Sequence, residues 1–210
     1  MGNSNVTASL IAICFAPVLY VRSNAKFFIG IPFIMGLIAC NCMMGYGTAF
    51  AAIFFYFILE RRYKTALLMF LTAIAAFFYI TPSKIIEMSS GRWYVWVKSF
   101  EYFEGLDAFK LLFGQGVGFF ADNFGSSGGQ NFRQAHCEWI ESIYAFGLLG
   151  TLAIIGMIGH VLSISKNKIA SLIILATLAN ALGHFTLHIS TTAFIFALAI
   201  AICISGKNNT

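Results

Sequence analysis

Between Lys26 and Glu60 the chain carries no charged side chain. The stretch from Phe27 to Leu59 is too long for a single crossing, which takes roughly 20 residues to span about 30 Å of hydrocarbon. A polar, glycine-bearing break, Asn41-Cys-Met-Met-Gly-Tyr-Gly47, divides it into two short helices. The rest of the chain follows the same habit. It is 59% hydrophobic and 10% charged, where soluble domains carry about 25% charged residues. The composition predicts an integral membrane protein.

Seven apolar segments can be drawn: Val6 to Val21, the two halves of Phe27 to Leu59, Thr65 to Ile80, Trp139 to Ile164, Ile169 to about Gly183, and Thr191 to Ser205. The fourth stops at Thr81-Pro82, as expected before proline. The expected fold class is an all-α integral membrane protein with about seven transmembrane helices and one long periplasmic helical segment. As a single polytopic domain, residues 1–81 hold four helices, 82–138 the periplasmic segment and 139–205 three more helices.

Charge sets the orientation. Arg22 and Lys26, then Arg61, Arg62 and Lys64, then Lys166 and Lys168, then Lys207 account for eight of the 13 basic residues. With seven crossings all four groups share one face, and the positive-inside rule makes it cytoplasmic. The opposite face receives the long segment from Pro82 to Glu138. Seven of the eight acidic residues lie there if Glu141 at the following helix entry is included. The expected orientation has the N-terminus outside and the C-terminus in the cytoplasm. Met1-Gly-Asn-Ser-Asn-Val-Thr7 has no basic start and no Ala-x-Ala site, so no cleaved signal peptide is read. An outside N-terminus without a signal suits a fragment or a shortened relative. The net charge of +5 is scattered in juxtamembrane groups, which does not make a nucleic-acid-binding stripe.

At about 57 residues the outer segment exceeds an ordinary structureless loop. Arg92-Trp-Tyr-Val-Trp-Val-Lys-Ser-Phe-Glu-Tyr-Phe103 mixes aromatics and charges at helical spacing, as in a helix lying in the bilayer interface. Leu112-Phe-Gly-Gln-Gly-Val-Gly118 lacks the Gly-Lys-Ser/Thr ending of a phosphate-binding loop. It reads better as a turn that lets the chain pack closely before the next helix. Ala135-His-Cys-Glu-Trp-Ile-Glu141 and Gly147-Leu-Leu-Gly150 follow.

Gly91-Arg92 with Trp96, the Leu-x-Gly-x-Gly turn at 112–116, and Ala135-His136 before Gly147-x-x-Gly150 stand in an order that resembles the C-terminal core of the bacterial O-antigen ligase and Wzy-type polymerase family. The resemblance covers roughly residues 90–160. It implies transfer of a glycan from an undecaprenyl-diphosphate carrier to a sugar hydroxyl, outside the cytoplasmic membrane and without a cofactor. Implied partners are that lipid-linked glycan, membrane lipid, and a chain-length regulator or other polysaccharide-assembly proteins, with no nucleic acid.

Such a transfer needs a cation for the diphosphate leaving group, a task that suits the guanidinium fork. It also needs a base or orienting group at the attacking hydroxyl, which a neutral imidazole provides near pH 7. The resemblance thus implies Arg92 and His136 as catalytic residues. Arg133, as a second cation, and Glu138 and Glu141, as partners for the imidazole, are the substrate-binding candidates. The plainer readings are an interfacial anchor for Arg92, a helix-entry residue for His136, dipole-favoured carboxylates for Glu138 and Glu141, and a solvated Arg133.

Two departures from the family pattern are visible. The hairpin at 41–47 holds no arginine where many relatives have a Ser-Arg pair, and Cys137 stands where Asn or Ser is common. The missing arginine, with the short length of the chain, motivates an alternative: a catalytically inactive membrane protein of the same fold that binds lipid-linked glycan or a full-length polymerase. A transporter is disfavoured by spans nearly free of charge. His184 and His188, four apart, would share one helical face as polar interface residues or a two-imidazole metal pair, but no third ligand accompanies them. Cys40 and Cys42 read as a packing pair, and Cys137 as a thiol with no covalent role.

Overall fold

The computed structural model describes residues 4–79, 92–124, 135–184 and 186–205. Every regular element among them is helical, so the chain is all-α. Helix α1, Ser4–Phe15, continues as a 3-10 turn, Ala16–Tyr20. There follow α2 Ala25–Cys40, α3 Met43–Leu59 and α4 Tyr63–Tyr79, then α5 Arg92–Glu104, α6 Ala108–Phe113 and α7 Phe119–Phe124. The chain closes with α8 Glu138–Ile164, α9 Lys168–Asn180, a 3-10 turn at Thr186–His188, and α10 Ser190–Ser205. Each of the seven apolar segments therefore holds a helix among the described residues. Among the described residues one helix, α8, is long and apolar enough to cross a membrane, and six apolar helices of 10–17 residues are shorter.

The chain forms two compact units. The first comprises Met1–Ile80, Val161–Ala181 and Thr186–Thr210. Its interior is built from small side chains: Ala8 and Ala12 pack with Leu37 and Cys42, and Ala16 and Ala52 with Leu172 and Ala176. Small residues let helix backbones approach closely. A Cβ built on Gly45 would lie 2.7 Å from that of Ala8, so glycine is what admits α3 against α1. The break between α2 and α3 is narrower than the sequence suggests. Asn41 alone turns left-handed at φ 43° and returns its N–H to the Leu37 and Ile38 carbonyls, while Gly45 and Gly47 are absorbed into α3.

At one end of this unit the Lys168 ammonium meets Glu60 at 2.9 Å. Tyr20 packs edge-on against Tyr56 with ring centroids 5.1 Å apart, and Ser171 Oγ lies 4.0 Å from Cys203 Sγ. The ends of the first 3-10 turn, α3 and α10 are thus gathered beside the start of α9. The basic groups at 22–26, 61–64 and 166–168 adjoin those ends, and Lys207 lies outside the described residues.

Polarity in this unit runs inside out. Ser9, Thr48, Asn180, Thr186 and Thr192 are fully buried, whereas Phe28 is 76% exposed and Phe27, Met35 and Ile38 each exceed 60%. The buried groups satisfy one another, as buried polar groups must. Asn180 Nδ2 donates to Ser9 Oγ at 3.0 Å and to Thr48 Oγ1 at 2.5 Å. Thr186 Oγ1 donates to Asn180 Oδ1 at 2.5 Å, and Thr192 Oγ1 donates to the Thr186 carbonyl.

The second unit comprises Thr81–His160 and Leu182–Phe185. Its core centres on Tyr144, with Val95, Phe120, Ala135, Cys137 and Ile140. The Tyr144 ring stacks on Phe103 at 4.4 Å and lies 5.9 Å from Phe119, and its hydroxyl donates to the Ser99 carbonyl at 2.9 Å. Within α8 the helix breaks at Gly147, which sits at φ 68°, ψ −178°. The Gly114 turn fills the break: Gln115 N–H donates to the Tyr144 carbonyl at 2.7 Å and Gly116 N–H to the Ala145 carbonyl at 3.2 Å. Carbonyls that the kink removes from the helical ladder thereby find donors.

Candidate functional site

Arg92 opens α5 on its buried side. Helix α5 turns Arg92, Val95 and Ser99 inward, while Trp93, Tyr94 and Phe100 face outward. The expectation of an exposed interfacial anchor does not hold for Arg92, which is only 8% exposed. Its Nη1 donates to the Gly183 carbonyl at 3.0 Å. A buried guanidinium is costly unless its donors are used, and Gly183 takes one of them.

His136 lies just before α8 in a left-handed conformation, φ 51°. The residue beside it is clamped through both backbone groups. Ala135 N–H donates to Glu141 Oε1 at 2.6 Å, and Trp96 Nε1 donates to the Ala135 carbonyl at 2.9 Å. One clamp comes from the first turns of α8 and the other from α5, so the two segments that carry His136 and Arg92 are tied together. Glu141 thereby acts on the backbone of the turn; this carboxylate is a positioning group. Glu138 occupies the first turn of α8, where a negative charge complements the helix dipole. Arg133 lies outside the described residues.

The environment of these groups keeps both imidazoles uncharged. Burial, and then the Arg92 charge, hold the His136 imidazole down to about 4. His184 is held down to about 4 by burial, by Arg92 and by His136. Both imidazoles are therefore neutral at pH 7. Burial pushes the Cys137 thiol up, which keeps it protonated and unreactive.

His184 was legible only as half of an i, i+4 pair with His188, and that pairing fails. Helix α9 ends at Asn180, so the two histidines do not share a helical face. His184, 1% exposed, joins the second unit with Arg92 and His136, and His188 is exposed in its own 3-10 turn. The one available signal was the polar Asn180 ahead of Gly183-His184 in an apolar run. Among the described residues no group of three or more His, Cys, Asp or Glu side chains gathers as a metal site. Cys40 and Cys42 are free, and Cys42 Sγ donates to Asn5 Oδ1 at 2.8 Å.

Arg92 and His184 are buried and His136 is half-buried, and the segments that carry them are tied by hydrogen bonds to the Gly183 and Ala135 carbonyls. The chain matches no protein-family description, no curated protein and no solved structure.

Proposed function

We propose that this chain is a multi-pass protein of the bacterial inner membrane that moves a glycan from an undecaprenyl-diphosphate carrier to a sugar hydroxyl, as an O-antigen polymerase or ligase does. The observation that carries the reading is the tie between the segments of buried Arg92 and of His136, made by Trp96 Nε1 on the Ala135 carbonyl; the two residues are implied by the resemblance and stand 44 positions apart in the chain.

The membrane part of the reading rests on polarity. Large apolar side chains cover the outside of α2, α4 and α10, while small apolar residues and a hydrogen-bonded polar network share the interior of the first unit. In water that arrangement exposes an apolar surface well beyond what a soluble monomer carries; in lipid it is the stable one. Helices of 16–17 residues reach only about 25 Å at 1.5 Å per residue. A bilayer accommodates such mismatch at modest cost by thinning and by snorkelling of flanking Arg and Lys. Seven crossings with the N-terminus outside keep the basic ends of the first unit in the cytoplasm.

In this reading Arg92 faces the diphosphate and stabilises the charge that develops as the anomeric carbon–oxygen bond breaks. His136 accepts the proton of the acceptor hydroxyl as that oxygen bonds to the anomeric carbon. An imidazole near 4 is a weak base. An incoming diphosphate supplies the opposite charge, which favours the imidazolium and makes His136 a stronger base. The α2–α3 hairpin brings no arginine, and this favours the second reading, an inactive relative that binds the same carrier.

Complementation separates the two. Supplied to a strain lacking its own polymerase or ligase, the chain is expected to restore lipopolysaccharide laddering or core attachment, and Arg92→Ala or His136→Ala to abolish it. Restoration that survives both substitutions would overturn the catalytic assignment. No restoration by the unaltered chain would favour the binding reading.

A further inference from the structure

We infer that His184 is a third member of the Arg92–His136 site and donates a hydrogen bond to the phosphate of a diphosphate-bearing ligand. The inference rests on the reading proposed above.

The backbone is routed to place this side chain. The chain leaves the first unit at Ala181, contributes Leu182–Phe185 to the second, and re-enters the first at Thr186. The base of that excursion is closed by the Thr186 hydroxyl on Asn180 Oδ1, and Asn180 is itself held by Ser9 and Thr48. Its tip is held by Arg92 on the Gly183 carbonyl at 3.0 Å. Its polar side chain, His184, is buried, and the Arg92 and His136 charges act on it.

Burial, Arg92 and His136 all disfavour protonation of His184, so it stands near a fixed cation as a neutral imidazole. A neutral imidazole keeps one N–H to donate and an imidazolium has two. A diphosphate offers charge and several acceptor oxygens, which suits one guanidinium fork and two imidazole donors.

The test uses the full chain in detergent micelles, with farnesyl diphosphate as probe and titration calorimetry as readout. The unaltered chain is expected to bind it. His184→Ala should weaken binding about tenfold, which corresponds to about 1.4 kcal/mol, with the melting temperature kept. His184→Asn or His184→Gln, which retain an N–H donor, should recover most of the loss. Should His184→Ala fail to fold, the Asn and Gln variants are compared with His184→Leu. Binding unchanged in His184→Ala, or lost equally in Ala, Asn and Gln, overturns the donor role. If the chain restores laddering and only the His184 result is negative, this inference alone fails. A chain that neither binds the probe nor restores laddering overturns the underlying reading too.

Discussion

Gly114 and Gly147 meet backbone to backbone in the second unit. A Cβ on Gly114 would lie 2.5 Å from the Gly147 amide nitrogen, and one on Gly147 would strike the Leu112 carbonyl. Both hold positive φ, 83° and 68°, with ψ near 180°, a region essentially confined to glycine. Either substitution to alanine therefore meets backbone strain of about 1–3 kcal/mol and a contact with fixed backbone. Gly147→Ala and Gly114→Ala should each lower the melting temperature of the purified protein, and Gly116→Ala, where a Cβ meets nothing within 4 Å, should lower it less. Equal losses at all three would mean the close approach is not what glycine is needed for.

Glu141 holds the turn before α8 through Ala135 N–H. Its carboxamide analogue keeps the accepting oxygen, so Glu141→Gln should retain carrier binding and transfer within about threefold. Glu141→Ala loses a charge-assisted hydrogen bond of about 1.5–3 kcal/mol and should reduce both about tenfold or more. A Gln variant as poor as Ala would show that the negative charge itself is required.

Acid should weaken the second unit. His136 and His184 stand near 4 when folded against an ordinary 6.5, so the unfolded chain takes up protons that the folded one refuses. Stability from this source is complete above about 6.5 and is lost as pH falls toward 4. Thermal melts followed by tryptophan fluorescence should shift downward from pH 7.5 to 5. A His136→Gln, His184→Gln double variant should show a smaller shift. An unchanged slope in that variant would exclude these imidazoles as the cause.

Asn180 bonds Ser9, Thr48 and Thr186 in the first unit. Asn180→Leu removes the shared partner of three buried hydroxyls and should cost about 1–2 kcal/mol by the scale of side-chain hydrogen bonds between membrane helices, read as a lower unfolding midpoint in mixed micelles. Ser9→Ala, which deletes only one bond, should cost less. A neutral Asn180→Leu would show that the network adds nothing.

The seven helical segments could be placed from sequence because their ends are written locally. Glu60-Arg-Arg closes α3, and Asn167 begins α9 by accepting from Ala170 N–H at 3.0 Å. The face that α5 buries could not be placed, because aromatics lie on both of its sides and only the packing of Val95 and Ser99 decides which side turns inward. The end of α9 was misplaced for a comparable reason. Residues six apart on an α-helix are separated by about 9 Å along its axis, so the Thr186–Asn180 hydrogen bond forces the chain to turn. The local run through Gly183 carries no sign of that.

By itself the sequence determined that the chain is helical, where its apolar helices lie and which stretch gathers the acids. Those properties follow from side-chain chemistry repeated along a few consecutive turns. Only the tertiary structure decided that Arg92 is buried on the Gly183 carbonyl, that Glu141 grips a backbone N–H, and that His184 joins the site while His188 does not. Such choices depend on contacts between segments tens of residues apart, and a short local pattern holds no record of them.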